Sequence, residues 1–283
     1  MNEAGALLII EDDKKRAEIC AFLSELGVTV DARKTLPGAS QAAEIRRLKR
    51  ELARHLRRSR ELEEAYDTTL ENFMAALDLR DVETYGHSKT VARYTHVLAE
   101  ASGIRDPGKL DSIRKGALLH DSGKMAIPDS ILKKPGPLAP KEWEVIRRHP
   151  ALGYGLVRDL KLVREVGDII LCHHERYDGT GYPKGLKGEA IPLEARIFAV
   201  ADTLDAVTSH RPYRAPRDFK TARLELETNA GKQFDPKVVD VFRGMDLAVW
   251  EKIRFETTRL MPPFDESRFT GPTQHRNGAG RNG

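Results

Sequence analysis

Hydrophobic and polar positions divide the chain into a short mixed segment and a long helical remainder. An apolar run at residues 7–10, an amphipathic pattern at 17–26 and a second apolar run at 28–30 predict a strand, a helix and a strand. The pattern then changes to a helical spacing that continues through most of the chain. We therefore expect a small α/β segment at the start and a mainly α fold after it.

A long helix is predicted next, because residues 42–80 contain neither proline nor glycine. Apolar side chains recur there at alternating spacings of three and four, at Ile45, Leu48, Leu52, Leu62, Tyr66 and Phe73. This spacing is typical of a coiled-coil seam. His55 and Ser59 fall on the same seam and weaken it. We expect a modest dimerising or signal-transmitting helix over residues 42–75, and a helical hairpin within one chain is the alternative.

Beyond residue 77 the pattern is helical almost throughout, with breaks at clusters of proline and glycine. Few segments have the alternation of a strand. Residues 262–283 lack an apolar period, and we expect a disordered tail there.

Composition and charge narrow the class of protein. A chain of 283 residues can bury a large core, and Cys20 and Cys172 are too few for a disulfide framework. No apolar run approaches the roughly 20 residues that cross a bilayer, so we expect a cytoplasmic protein without a membrane span. Between Glu44 and Arg60 there are eight Lys or Arg residues against two Glu. No aromatic residues interleave with them, which favours a solvated helix face over a nucleic-acid surface.

Two histidines fall on predicted buried faces. His120 follows Leu110, Ile113 and Ala117 on one face of a helix, and His149 follows Trp143 and Ile146 at three-residue steps. Either histidine alone would more often be an ordinary core residue.

A second helix changes that interpretation. Pro192 predicts its start, and its inner face is formed by Ile197, Val200, Leu204 and Val207. Its other sides are also apolar, yet it carries Asp202 and Asp205 on one face. Burial of an unpaired carboxylate costs several kcal/mol. We therefore expect Asp202 to be buried and to bind a divalent cation together with neutral imidazoles.

The segment at residues 173–183 joins adjacent histidines, His173-His174, to a turn that ends in Gly181-Tyr182-Pro183. Together with His120-Asp121, His149-Pro150 and Asp202, this segment resembles the HD-GYP phosphodiesterases. That family is a branch of the HD metal-dependent phosphohydrolases, and it hydrolyses the bacterial messenger cyclic di-GMP. The resemblance covers about residues 66–259 and implies an all-α catalytic domain.

The resemblance also implies the residues of the site. The metal ligands of the family fall on His120, Asp121, His149, His173, His174 and Asp202. Glu83 and His87 match two further ligands of members that hold three ions. Lys124 matches a lysine that contacts phosphate. The nucleotide pocket of the family falls on Tyr182, Asp205, Arg211 and Arg214, although the two arginines could instead form solvent-exposed ion pairs.

The first 38 residues resemble the start of a response-regulator receiver domain, in which an acidic cluster binds a divalent cation beside a phosphoacceptor aspartate. Glu11, Asp12 and Asp13 form such a cluster, but after Val30 no third strand supplies the aspartate. We interpret the three carboxylates as solvated, with a vestigial site as the alternative. The expected order is a truncated receiver-like segment at 1–38, a coiled-coil linker helix at 39–65, an HD-GYP catalytic domain at 66–261 and a tail at 262–283.

The expected activity is metal-dependent hydrolysis of cyclic di-GMP to pGpG, and further to GMP where a third ion is bound. Histidine and carboxylate ligands suit two or three iron or manganese ions, and Asp121 is the expected bridge, acting with His120 and Lys124 in catalysis. A non-catalytic cyclic di-GMP receptor, or a module that docks GGDEF-domain proteins, is the alternative. A general HD nucleotidase would not require the Gly-Tyr-Pro segment. Cyclic GMP-AMP stays open as the substrate.

Overall fold

The computed structural model describes Ala21 and residues 38–81, 86–158, 164–210 and 214–259. A long helix, α1, occupies nearly all of the range 38–81. Helix α1 spans Gly38–Arg80 and confirms the predicted long helix. Its coiled-coil pairing stays a prediction. The strands predicted at 7–10 and 28–30, the acidic cluster at 11–13 and the tail at 262–283 lie outside the described residues.

Regular structure in the described ranges is helical, with no strand among them, and this confirms the mainly α fold class. After α1 come α2 (His87–Ala101), α3 (Pro107–Leu119), α4 (Asp129–Leu132), α5 (Pro140–Ile146), α6 (His149–Val157), α7 (Arg164–Cys172), α8 (Leu193–Thr208), α9 (Phe219–Thr228), α10 (Pro236–Arg243) and α11 (Leu247–Arg259). Short 3-10 turns occupy Ser122–Ala126 and Gly188–Ala190. Two units are distinguished, Met1–Thr68 and Thr69–Gly283. The predicted domain boundaries stay predictions.

Helix α3 begins where the sequence provides a cap. The Asp106 carboxylate accepts a hydrogen bond from the Lys109 backbone at 2.6 Å, and Pro107 occupies the first turn. Leu110, Ile113 and Ala117 are buried as predicted. Helix α3 therefore carries its last residues, and His120 directly after them, into the core.

Helix α8 also begins as predicted, with Pro192 as its N-cap. The four positions of its predicted inner face, Ile197, Val200, Leu204 and Val207, are buried. The helix packs against α2, α7 and α9. Because α8 lies at the centre of these contacts, its polar residues are placed between helices that come from distant parts of the sequence.

The aromatic part of the core ties α11 to α2 and α10. Trp250 is fully buried, with its ring centroid 5.5 Å from that of Tyr94 and 5.3 Å from that of Phe242. The Tyr94 hydroxyl donates to the Trp250 carbonyl at 3.2 Å. These contacts hold the last described helix on the domain.

The sequence was wrong about Trp143. Its side chain is 47% exposed, because α5 ends at Ile146 and His149 begins a new helix. Pro150 stands in the first turn of α6 and has no backbone N–H to donate to the carbonyl of Ile146, so the hydrogen-bond ladder of α5 cannot continue into α6. The three-residue spacing from Trp143 to His149 therefore does not keep both on one face.

The described ranges contain no candidate membrane span and one cysteine, which is not in a disulfide. No helix there is long and apolar enough to cross a membrane. Cys172 is a buried free thiol, and burial raises its pKa to about 11.

The turn at Ser122–Ala126 packs on α6 through Gly123. A Cβ atom on Gly123 would lie 1.9 Å from the His149 carbonyl oxygen and 2.5 Å from the Gly153 nitrogen. Backbone atoms cannot yield as a flexible side chain can. Only glycine therefore fits where the residues after His120 meet the start of α6.

We predict that Gly123→Ala lowers the free energy of unfolding by roughly 1–3 kcal/mol, because the turn must move away from α6. Gly155→Ala is the matched control in α6, since a Cβ atom there meets nothing within 4 Å. That control should be neutral or stabilising by about 1 kcal/mol at most. Urea unfolding followed by tryptophan fluorescence measures both, and equal stability of the two variants would contradict the prediction.

Candidate metal centre

The predicted ligands lie at the ends of helices that meet in one place. His120 and Asp121 directly follow α3, and His149 is the first residue of α6. His173 and His174 directly follow α7, and Asp202 lies within α8. Residues up to 82 positions apart in sequence are thus brought together by the packing of four helices.

Three of the histidines are oriented in the same way. The Nδ1 atom of each bonds the backbone carbonyl three residues earlier: His120 with Ala117 at 2.8 Å, His149 with Ile146 at 2.8 Å and His173 with Ile170 at 2.9 Å. Since a carbonyl only accepts, each Nδ1 carries the proton. In the neutral imidazole, the lone pair is then on Nε2, which is the arrangement of histidines that bind metal ions.

The Nε2 atoms point at each other and at one carboxylate. His149 Nε2 lies 3.0 Å from His173 Nε2, and Asp121 Oδ1 lies 3.1 Å from the first and 3.7 Å from the second. No donor in the described ranges hydrogen bonds Asp121 Oδ1, although it is buried. Lone pairs that face one another repel unless a cation lies between them. Two ligands at roughly 2.1 Å from one ion, at right angles, are about 3 Å apart, so these residues fit a metal ion.

His174 completes this cluster. A ligand atom from each of Asp121, His149, His173 and His174 lies within 4.8 Å of all the others. Burial, reinforced by the neighbouring His149, lowers the pKa of His174 to about 3. Burial and the His174 ring likewise hold the pKa of His173 well below its usual value. Both imidazoles are therefore neutral at pH 7 and able to donate lone pairs.

Asp121 also belongs to a second cluster, with His87 and His120. Its Oδ2 atom lies 3.0 Å from His120 Nε2. Burial opposes its ionisation, but His120 and Lys124 outweigh burial and hold its pKa well below the usual value. The same carboxylate outweighs burial at His120 and raises the pKa of that imidazole. A metal ion at His120 would therefore compete with a proton. Asp121 belongs to both clusters, and its role as a bridge stays a prediction.

Lys124 faces the same carboxylate from the Ser122–Ala126 turn. Its Nζ atom lies 2.8 Å from Asp121 Oδ2 and also pairs with Asp81, just after α1. The ammonium group is thus held beside the clusters by two carboxylates.

The structure exchanges the expected environments of the two aspartates of α8. Asp202 is only partly buried, with one third of its side chain exposed, and its Oδ1 atom lies 3.5 Å from His87 Nε2. Asp205 is the buried one; instead of lining the nucleotide pocket, it contacts His87, Ser209 and Arg254. A helical period of 3.6 separates positions three apart by about 60°, enough to turn one carboxylate to solvent and the other inward.

A cavity of about 250 Å³ opens beside the clusters. Its lining includes His173, His174 and Asp202, together with Tyr182 and Arg147. The Tyr182 ring stacks on His174, with centroids 4.6 Å apart, and the Arg147 guanidinium carbon lies 5.3 Å from the Tyr182 centroid. The predicted Tyr182 therefore lies at the cavity, whereas Arg147 carries no signal in the sequence that could have identified it.

The Gly-Tyr-Pro turn packs directly on the histidine pair. A Cβ atom on Gly181 would lie 2.4 Å from the Arg176 nitrogen and 2.6 Å from the His174 oxygen. The Glu175 carboxylate, buried below the turn, accepts hydrogen bonds from the backbone of Lys184 at 2.7 Å and of Leu186 at 2.9 Å. No role was predicted for Glu175. The signal in the sequence was its position, because Glu175 is a charged residue between the histidine pair and the Gly-Tyr-Pro motif.

The remaining predicted residues lie elsewhere or cannot be placed. Arg214 donates to the Ala206 carbonyl at 2.6 Å, next to α8, and is absent from the cavity lining. Glu83 and Arg211 lie outside the described residues.

Comparison with known proteins agrees with this arrangement. Residues 71–238 match the family model described as HD domain. A cyclic di-GMP phosphodiesterase of Thermotoga maritima is 34% identical, over 90% of this chain and 69% of that protein. The cyclic di-GMP phosphodiesterase response regulator RpfG of Xanthomonas campestris is 44% identical, over 65% of this chain and 49% of its own length. A 3'3'-cGAMP-specific phosphodiesterase 2 of Vibrio cholerae is 38% identical, over 64% of this chain and 35% of its own length.

The chain thus spans about half or less of the length of two of these three relatives. The matched region contains His87, His120, Asp121, His149, His173, His174 and Asp202. The chain belongs to the HD domain family, and its Gly181-Tyr182-Pro183 motif makes it an HD-GYP member.

Proposed function

We propose that this protein is a metal-dependent phosphodiesterase that hydrolyses cyclic di-GMP to pGpG. The observation that carries the proposal is the convergence of His149 Nε2, His173 Nε2 and Asp121 Oδ1 within 3.0 to 3.7 Å. A single proton could join only two of these atoms, whereas one divalent cation can accept a lone pair from all three. A second position, which shares Asp121, is offered by His87 and His120.

The ions of the proposed site are iron or manganese, two or three per chain, because imidazole and carboxylate ligands suit both metals. His120, Asp121, His149, His173, His174 and Asp202 would hold them, and His87 and Glu83 would hold the third. When bound, such ions lower the pKa of water and neutralise phosphate oxygens. Hydrolysis then adds water across one phosphodiester: the water oxygen bonds to phosphorus, the phosphorus–O3′ bond breaks, and a proton ends on O3′.

Residues of the chain itself would bind and orient the substrate. The ammonium group of Lys124, 2.8 Å from Asp121 Oδ2, can stabilise negative charge that develops on the phosphate oxygens. Tyr182 and Arg147 offer a ring and a guanidinium to a base and a phosphate. A cavity of about 250 Å³ is slightly smaller than the roughly 300–1,000 Å³ of typical ligand sites, so it would enclose only part of a cyclic dinucleotide. Cleavage onward to GMP would need pGpG to bind again.

Cyclic GMP-AMP is the alternative substrate, favoured by the name of the Vibrio relative, since both cyclic dinucleotides carry the same phosphodiester. A second candidate function is a non-catalytic cyclic di-GMP receptor, or a module that docks GGDEF-domain proteins through the Gly-Tyr-Pro turn. The turn contacts His174 through its backbone, with Tyr182 N 3.2 Å from the His174 oxygen, so it could report on the metal site.

We predict that Asp121→Asn lowers kcat/KM for cyclic di-GMP by more than about 100-fold, because loss of a partner outside the ligand shell already costs about 10–100-fold. Manganese content should fall together with turnover. Asp111→Asn is the matched control, since Asp111 pairs with Arg114 and Lys115 on the surface of α3, the helix that precedes Asp121.

Purified protein loaded anaerobically with iron or manganese is incubated with each cyclic dinucleotide, and the products are separated by chromatography. No turnover of either substrate by the wild type would overturn the proposal. If the Asp121→Asn variant still signals in the cell without turnover, the non-catalytic cyclic di-GMP receptor is favoured instead.

We predict that Arg147→Met raises KM for the cyclic dinucleotide by about 10-fold and leaves kcat nearly unchanged, because the guanidinium would contribute to binding and is not one of the candidate metal ligands. Arg148→Met is the control, since Arg148 is exposed and does not line the cavity. Steady-state kinetics of the two variants decide the matter, and equal KM values would remove Arg147 from the substrate site.

We also propose that the chain forms a homodimer through residues 42–75. On α1, Leu52 and Leu62 are 41% and 64% exposed, which leaves apolar surface for a partner helix. Multi-angle light scattering should give a dimer at micromolar concentration, and Leu62→Glu should shift it to monomer. A monomeric wild type would contradict the prediction.

A further inference from the structure

His87 has a different hydrogen-bond partner from the other histidines of the site. His120, His149 and His173 use backbone carbonyls, which are neutral. His87 Nδ1 instead lies 2.7 Å from Asp205 Oδ2, a carboxylate from the middle of α8. This contact directs His87 Nε2 to the side of Asp202, at 3.5 Å. The orientation of His87 therefore depends on Asp205.

Asp205 is in turn held by Arg254 from α11. The Arg254 Nη2 atom donates to Asp205 Oδ1 at 2.6 Å and to Thr208 Oγ1 at 2.9 Å, and Nη1 donates to Ser209 Oγ at 2.9 Å. The Ser209 hydroxyl donates to Asp205 Oδ2 at 2.9 Å. Only 2% of the Asp205 side chain is exposed. One guanidinium thus fixes the carboxylate directly and through the serine.

We propose that Arg254 is a positioning residue for the metal position that includes His87. The inference rests on the proposed function, since it assumes that His87 binds an ion. A buried carboxylate without a cationic partner is strongly destabilised. Arg254 supplies that partner, and its fork fixes the face that Asp205 presents to His87. Arg254 touches neither the cavity lining nor the cluster of Asp121, His149, His173 and His174.

The chain offers a control ion pair that also involves α11. Arg93 of α2 pairs with Glu256 of α11 at 2.9 Å, and both side chains are more than one third exposed. Arg93→Met therefore removes an α2–α11 ion pair without contact to Asp205. His87→Ala is the reference for loss of the metal position itself.

The test titrates metal-free wild type, Arg254→Met, Arg93→Met, His87→Ala and the double variant Arg254→Met/His87→Ala with manganese, and metal per chain is measured after gel filtration. Arg254→Met should lower the manganese affinity of the position that includes His87 by about 10–100-fold, as loss of a ligand's hydrogen-bond partner does. The manganese affinity of the other position should stay unchanged. The double variant should bind manganese as His87→Ala does, because both changes act on one position.

The outcomes separate the inference from the proposed function. Equal manganese affinities of Arg254→Met and Arg93→Met would overturn the inference, as would uniform weakening of all sites. A wild type that binds neither manganese nor iron would overturn the proposed function instead. Should Arg254→Met not fold, Arg254→Lys against Arg93→Lys makes the same comparison. Lysine lacks the forked guanidinium of arginine, so Arg254→Lys should lower the manganese affinity of the position that includes His87 by about 10-fold. Equal manganese affinities of Arg254→Lys and Arg93→Lys would overturn the inference.

Discussion

The site depends on one constraint, which is that the Nε2 atoms of three histidines share the two oxygens of Asp121. Each ring is fixed by a bond from Nδ1 to the carbonyl three residues earlier. Those carbonyls belong to the last turns of α3, α5 and α7, so the direction of each ring follows from where a helix ends. Helix ends leave carbonyls without intrahelical partners. The fold uses these carbonyls to select the tautomer of its ligands.

The packing that permits this convergence relies on two glycines. Gly123 lets the residues after Asp121 approach the His149 carbonyl, and Gly181 lets the Gly-Tyr-Pro turn approach the backbone of residues 174–176. In both places the atoms within 3 Å include the backbone of a predicted ligand, which is His149 beside Gly123 and His174 beside Gly181. The motif glycines therefore bring ligand-bearing segments together, and the tyrosine that follows Gly181 reaches the cavity as a consequence.

Much of this arrangement could be predicted from the sequence, because it is local. The starts of α3 and α8 follow from Asp106-Pro107 and Pro192, and their buried faces follow from a 3.6-residue period. The exchange between Asp202 and Asp205 could not be predicted. The cation that stabilises Asp205 is Arg254, 49 residues later, and no spacing within α8 contains that contact. Arg147 escaped prediction for the same reason, since its neighbour Tyr182 comes from a separate turn.

Lys124 connects the site to the end of α1. Its ammonium group contacts Asp121 on one side and Asp81 on the other. Arg80, the last residue of α1, donates to the carbonyls of Met125 at 3.0 Å and Ile127 at 2.8 Å. The turn that carries Lys124 is therefore bonded to α1 through its backbone as well as through the lysine. Both sets of bonds involve Arg80 and Asp81, so the end of α1 contributes to holding the turn that carries Lys124.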